Sequence, residues 1–134
     1  MTYLDTGCLV KLYYPEPESL AVATRVSGKT ICYSPLHELE VTNALHLKVF
    51  QGSATLGQLQ HVMELIASDL AAGLLRRPPL LWEDVYRDSA ALSRQHTASI
   101  GCRSLDVLHC AAAKTLDADD SSAPTHVRFP WQKP

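Results

Sequence analysis

The sequence predicts an α/β domain with a short, mostly parallel central sheet flanked by helices, its last strands missing or replaced. Three observations lead there. β-favouring runs alternate with pairs of helical segments in the order β-α-α-β-α-α-β-α-α, and strands separated by helices pair mostly in parallel. A chain of 134 residues, 46% hydrophobic and 19% charged, has the size of one domain and buries roughly 68% of its unfolded surface without staples. The pattern then stops: Ser121-Ser122-Ala123-Pro124 reads as a linker, and three of the eight prolines fall in the last eleven residues. Residues 1–120 therefore read as the domain and 121–134 as a divergent tail.

Thr2-Tyr3-Leu4-Asp5 is the first expected strand. A helix follows over Thr6–Tyr14, with Leu9, Val10, Leu12 and Tyr13 at helical spacing, and Pro15-Glu16-Pro17 ends it. Glu18–Val26 is a second short helix closed by Ser27-Gly28. Lys29–Tyr33, β-branched and aromatic, is the second strand. Ser34-Pro35 opens a long helix that runs to Gly52, because Ser caps a first turn and Pro fits its first position. The next helix begins near Ala54, carries Leu56, Leu59, Val62, Met63, Ile66, Leu70 and Leu74 on a near-continuous stripe, and ends around Gly73. Leu74–Arg77 is a weak strand, and Trp82–Thr97 and Ser104–Leu116 are two further helices around a Gly101 turn.

Twelve basic against fourteen acidic residues give a formal charge of −2, so any phosphate binding must be local. Cys8, Cys32, Cys102 and Cys110 form no CxxC pair and no ligand-like group with the histidines, which reads as buried thiols in a reducing cytoplasm rather than a zinc or redox site. Met1–Val10 lacks a basic segment and meets an acid at position 5, unlike a signal peptide. No apolar run approaches the roughly 18 residues of a membrane span. The expectation is a soluble cytoplasmic protein.

Three acids stand out. Asp5 ends the first strand, where open α/β sheets bind ligands, and equally precedes a helix it could cap. Glu40, with Asn43, falls on a wheel inside the arc of Leu36, Leu39, Ala44, Leu47 and Phe50; a carboxylate there needs a partner or a metal, unless it sits at the margin and reaches solvent. Glu38 points elsewhere and is weaker. Asp106 lies in the first turn of the last helix, two residues after Ser104, which could cap it while the acid meets the helix dipole. Together the three match the oxygen-ligand chemistry of Mg²⁺ or Mn²⁺, which clamps phosphodiesters and activates water.

The run Tyr3-Leu4-Asp5-Thr6-Gly7-Cys8-Leu9-Val10-Lys11-Leu12-Tyr13, followed by Pro15-Glu16-Pro17-Glu18, resembles the opening of PIN-domain nucleases, specifically the VapC-type toxins of type II toxin–antitoxin systems. Ser34 to Leu45 is similar to the family's second motif, whose acid lies four residues before the Ala of an Asn-Ala-Leu-like ending; that rule selects Glu40. Arg103 to Ala113 resembles the third motif and selects Asp106. The resemblance implies a three-layer PIN-like sandwich and a metal-dependent endoribonuclease. It makes Asp5, Glu40 and Asp106 catalytic metal ligands for Mg²⁺ or Mn²⁺, with Thr6 and Asn43 in support. Ser104 is a further supporting candidate, and Arg103 is the candidate RNA contact. Its partners would be an RNA substrate, a cognate antitoxin and a second copy in a homodimer, away from any membrane.

The sequence departs from the family in two places. Gly7 stands where Ser is common. The fourth strand, with its Thr-x-Asp-like acid, has no counterpart: Asp117-Ala118-Asp119-Asp120 resembles the loop before it, and no acid follows. Asp119 or Asp120 could stand in, and Thr125–Phe129 could patch the exposed sheet edge. A missing acid weakens metal holding, so the competing reading is an inactive module that binds antitoxin or itself. Leu9, Leu12, Tyr13, Tyr14 and the Leu56–Leu70 stripe would supply its surface unless they are plain core. Arg76-Arg77 is a second basic candidate, with scattered solvated charge as the simpler account. Asp5-Thr6-Gly7 also matches the aspartic-protease tripeptide, but those folds are nearly all β. The six scattered glycines form no phosphate loop.

Overall fold

The computed structural model describes residues 1–119, side chains through Leu116. They form six helices and a very small sheet: α1 (Thr6–Tyr13), α2 (Ser19–Val26), β1 (Ile31–Cys32), α3 (Pro35–Phe50), α4 (Leu56–Ala72), β2 (Leu75–Arg76), α5 (Trp82–Ile100) and α6 (Ser104–Asp119). The chain divides into two compact units, Met1–Arg77 and a second that begins at Pro78.

Local chemistry sets most boundaries. Asp5 caps α1, its Oδ1 accepting the Cys8 N–H at 2.8 Å. Ser34 caps α3 with Pro35 behind it. Thr55 and Gln58 cap each other reciprocally at the start of α4, through bonds of 3.1 and 2.9 Å. Gly73 and Gly101 close α4 and α5 at φ 78° and 75°, a left-handed conformation that costs glycine nothing.

In the first unit β1 is central. β2 pairs with it in parallel, Ile31 opposite Leu75 and Cys32 opposite Arg76. On the other side Thr2 makes a single parallel bridge to Ile31, with Thr2 N–H to Thr30 O at 2.7 Å and Cys32 N–H to Thr2 O at 2.8 Å. Beneath lies one core built from Leu9 and Val10 of α1, Val41 and Leu45 of α3, Leu59, Val62 and Ile66 of α4, and Leu4, Ile31, Tyr33 and Leu75 around the sheet. Leu12, Tyr13, Tyr14, Met63 and Leu70 pack against it, so these apolar residues of α1 and α4 serve the interior, while Leu56 stays exposed. In the second unit α5 and α6 pack on one another.

The expected three-layer PIN-like sandwich is not formed: among the described residues the molecule is mostly helical, with a two-stranded sheet of two residues per strand. The helices fall in the expected order, but the first expected strand, Thr2–Asp5, is reduced to the Thr2 bridge, and β1 and β2 are too short to make a layer. Each is cut off at its carboxyl end. Asp5 turns the first segment into α1, Ser34-Pro35 turns β1 into α3, and Pro78-Pro79, lacking two N–H donors, stops β2. The segment 117–119, expected as a loop, continues α6. Asp120, the patch at Thr125–Phe129 and the tail lie outside the described residues. Among those described, no helix is long and apolar enough to cross a membrane.

Candidate functional site

The three segments around β1 run the same way, so their carboxyl ends share one edge. Asp5, Ser34 and Arg77 follow there, three, two and one residues past the last paired positions Thr2, Cys32 and Arg76. Asp5 is exposed and held as the N-cap of α1, so the capping alternative is realised at the very edge where a ligand-binding acid is expected. Beside it the Cys8 thiol is pushed up from 9.0 to about 11, first by burial and then by the Asp5 charge. A Cβ on Gly7 would meet Asp5 Oδ1 at 3.4 Å, an ordinary contact, so a serine here would place its hydroxyl group close to that carboxylate.

Glu40 reaches the same neighbourhood. The Thr6 hydroxyl donates to Glu40 Oε1 at 3.0 Å, across 34 residues. This fixes one carboxylate of α3 beside the first turn of α1, directly after Asp5. Glu40 is half-buried at the margin of the core, for a reason the wheel missed: α3 turns His37, Val41 and Leu45 inward, while Leu39, Leu47 and Phe50 are 64, 47 and 88% exposed. The apolar arc on the sequence is mostly a surface strip. Asn43 is exposed on it.

His37, which the motifs did not flag, holds the edge together. It is fully buried, its Nε2 lies 2.7 Å from the Leu4 carbonyl, and Ser34 N–H donates to its Nδ1 at 3.1 Å. A ring that accepts at Nδ1 carries its proton on Nε2, where it donates to Leu4 O. The Tyr3 and Tyr33 rings flank it, with centroids at 4.7 and 6.4 Å. The only signal available in the sequence was the spacing Ser34-x-x-His37, a capping box with imidazole in place of the usual Glu or Gln. The Tyr33 hydroxyl is buried with no hydrogen-bond partner among the described residues, and burial raises its pKa.

Two further ion pairs frame the first unit. Arg77 Nη1 bonds Glu38 Oε2 at 2.7 Å, and its guanidinium lies 5.4 Å from the Tyr33 ring centroid. Lys48 pairs with Glu16 at 3.0 Å and covers the Tyr14 ring.

The second unit carries the third acid. Asp106 Oδ2 accepts from Arg103 Nε at 3.0 Å, with Arg103 itself largely exposed. Ser104 is the first residue of α6. Val107 N–H bonds Arg103 O in the opening turn, and His109 is buried in the turn beyond.

Hard oxygen donors suit Mg²⁺ or Mn²⁺, and Mg²⁺ commonly takes one or two protein carboxylates plus substrate phosphates. The first unit offers Asp5 and Glu40 in that manner, joined through Thr6. Within either unit no group of three or more His, Cys, Asp and Glu side chains gathers to hold a metal among the described residues. Asp5 and Glu40 are the oxygen donors of the first unit that could serve an ion shared with substrate. The cysteines are all free and only Cys32 is fully buried, so the expectation of four buried thiols holds for one of them. No protein-family model and no curated protein sequence matches the chain.

Proposed function

We propose that the chain is a PIN-type, VapC-like endoribonuclease that hydrolyses RNA phosphodiester bonds with Mg²⁺ or Mn²⁺, as the cytoplasmic toxin of a toxin–antitoxin pair. The reading rests on the motifs and on one observation: the Thr6–Glu40 hydrogen bond, which joins the first and second acidic motifs. The sandwich fold carries no part of it. Asp5 and Glu40 of the first unit would hold the ion, which when bound activates water and offsets charge on the phosphate; Asp106, the acid selected by the third motif, lies in the second unit. Thr6 donates to Glu40 and so fixes the direction of that carboxylate. The α1 cap fixes Asp5 in the same way. Arg103 covers Asp106 through an exposed, exchangeable pair, and a phosphate is a competing partner for it.

The test is cleavage of RNA by the purified full-length chain with Mn²⁺ or Mg²⁺, with chelator, and in Asp5→Asn. Asn caps helices about as well as Asp, so this variant keeps the fold while losing a charge. Cleavage should vanish both with chelator and in the variant. Cleavage indifferent to either refutes the metal mechanism.

The exposed strip of Leu39, Leu47 and Phe50 on α3 favours a second reading, in which the chain binds an antitoxin or a second copy and cuts nothing. In that case the antitoxin binds the wild-type chain, while expression without antitoxin leaves growth unharmed.

A further inference from the structure

We propose that Arg77 is the RNA-backbone contact of the first unit, presented by Tyr33 and held in reserve by Glu38. The inference rests on the ribonuclease reading and names how that site takes its substrate.

The position of Arg77 follows from the sheet. The register that sets Thr2 and Leu75 on either side of Ile31 pairs Cys32 with Arg76, and Tyr33 N–H bonds Arg76 O at 2.8 Å, so Arg77 lies just past the carboxyl end of β2. Asp5 and Arg77 thus leave the same edge on opposite sides of β1, two strand spacings or roughly 10 Å apart at the backbone. One RNA strand lying along that edge can meet both.

Three features set this arginine apart from scattered surface charge. Its guanidinium lies over the Tyr33 ring, 5.4 Å from the centroid, and that ring is itself fixed in the core. The fork is therefore already oriented, which lowers the entropy lost when it binds a phosphate. One nitrogen, Nη1, bonds Glu38 at 2.7 Å, while the other N–H groups have no partner among the described residues. Both side chains of the pair are about half exposed, 46 and 49%, so the pair is exchangeable and a phosphodiester can replace the carboxylate. Arg87 lacks these features: it pairs with Asp84 three residues away on its own helix, at 71% exposure.

The experiment measures binding of a short, mixed-sequence single-stranded RNA to the full chain by fluorescence anisotropy, in chelator, across a range of salt. Arg77→Gln should weaken binding several-fold and lower the slope of log K against log salt by about 0.7, the single-strand value for one phosphate contact. Glu38→Gln should tighten binding, because it frees the same guanidinium. Both variants break the ion pair, so opposite signs separate loss of a contact from loss of structure. Arg87→Gln reports generic charge and should leave the slope unchanged.

Equal losses in Arg77→Gln and Arg87→Gln, unchanged binding in Arg77→Gln, weaker binding in Glu38→Gln, or no RNA binding by the wild type each overturn the proposal. Cleavage is scored separately, with metal. A chain that binds RNA through Arg77 but never cuts refutes the ribonuclease reading alone, and a chain that cuts while Arg77→Gln binds normally refutes this inference alone.

Discussion

His37→Leu is the substitution from which the first unit has most to lose without any change in volume large enough to open a cavity. Leucine fills similar space, so the packing term is small. What goes is polar: the Leu4 carbonyl loses the Nε2 donor at 2.7 Å and the Ser34 N–H loses the Nδ1 acceptor at 3.1 Å, at a residue with no exposed surface. A buried backbone group left without its partner costs about 1–3 kcal/mol, so the pair sums to roughly 2–6 kcal/mol. With a urea dependence of about 1.5–2 kcal/mol per molar, the unfolding midpoint of the full chain should fall by about 2 M. Ser34→Ala, which keeps the imidazole and removes only a hydroxyl cap, should cost about 1 kcal/mol. A His37→Leu midpoint within about 0.3 M of the parent would show that the imidazole is not what ties Leu4 to α3.

The remaining expectations concern smaller groups. Tyr33→Phe removes a buried hydroxyl that has no partner among the described residues and should be neutral or stabilising in the same urea assay; a loss above about 1 kcal/mol would mean that the hydroxyl is bonded. Gly7→Ala should raise stability by about 0.5–1 kcal/mol, since Gly7 lies in the first turn of α1 at an ordinary backbone conformation and the added Cβ meets Asp5 Oδ1 at 3.4 Å; a lowered melting temperature would contradict it. The Cys32 thiol is pushed from 9.0 up to about 12 by burial, so the unfolded chain ionises first as pH rises. Its contribution to stability is complete below about pH 9 and is lost progressively between pH 9 and about 12. The fall in unfolding midpoint from pH 9 to 11 should therefore be smaller in Cys32→Ala than in the parent.

Helix starts were the most legible feature of the sequence, because Asp5 and Ser34-Pro35 act on their own next few residues. Gly73 and Gly101 marked two helix ends for the same local reason. The extent of the sheet was not legible in this way. Thr2–Asp5 and Lys29–Tyr33 favour extended backbone, yet how many of their residues pair depends on neighbours, and here caps and prolines leave two-residue strands.

The site shows the same division. Asp5 was placed by its neighbours, but the burial of Glu40 was misjudged, because α3 has apolar residues on two faces and a histidine on the inner one. A wheel that counts only apolar residues gives His37 no role; its partners, Leu4 and the two tyrosines, become visible only once the chain has folded back by 33 residues. Arg77 and Glu38 are 39 residues apart, and neither one alone suggests the other.

Three bonds tie α3 to α1 and to the chain just before and after it, each spanning 32 to 34 residues: His37 to Leu4, Thr6 to Glu40, and Lys48 to Glu16. An eight-residue helix is too short to persist in water by itself. On a ribosome, then, α1 and the acid that caps it have no fixed place until α3 has been synthesised out to Lys48. The N-terminal third of the chain emerges first and is organised late, and the proposed site stays unassembled until α3 is in place. In native-state hydrogen exchange the amides of α1 should open together with those of α3, as one cooperative unit.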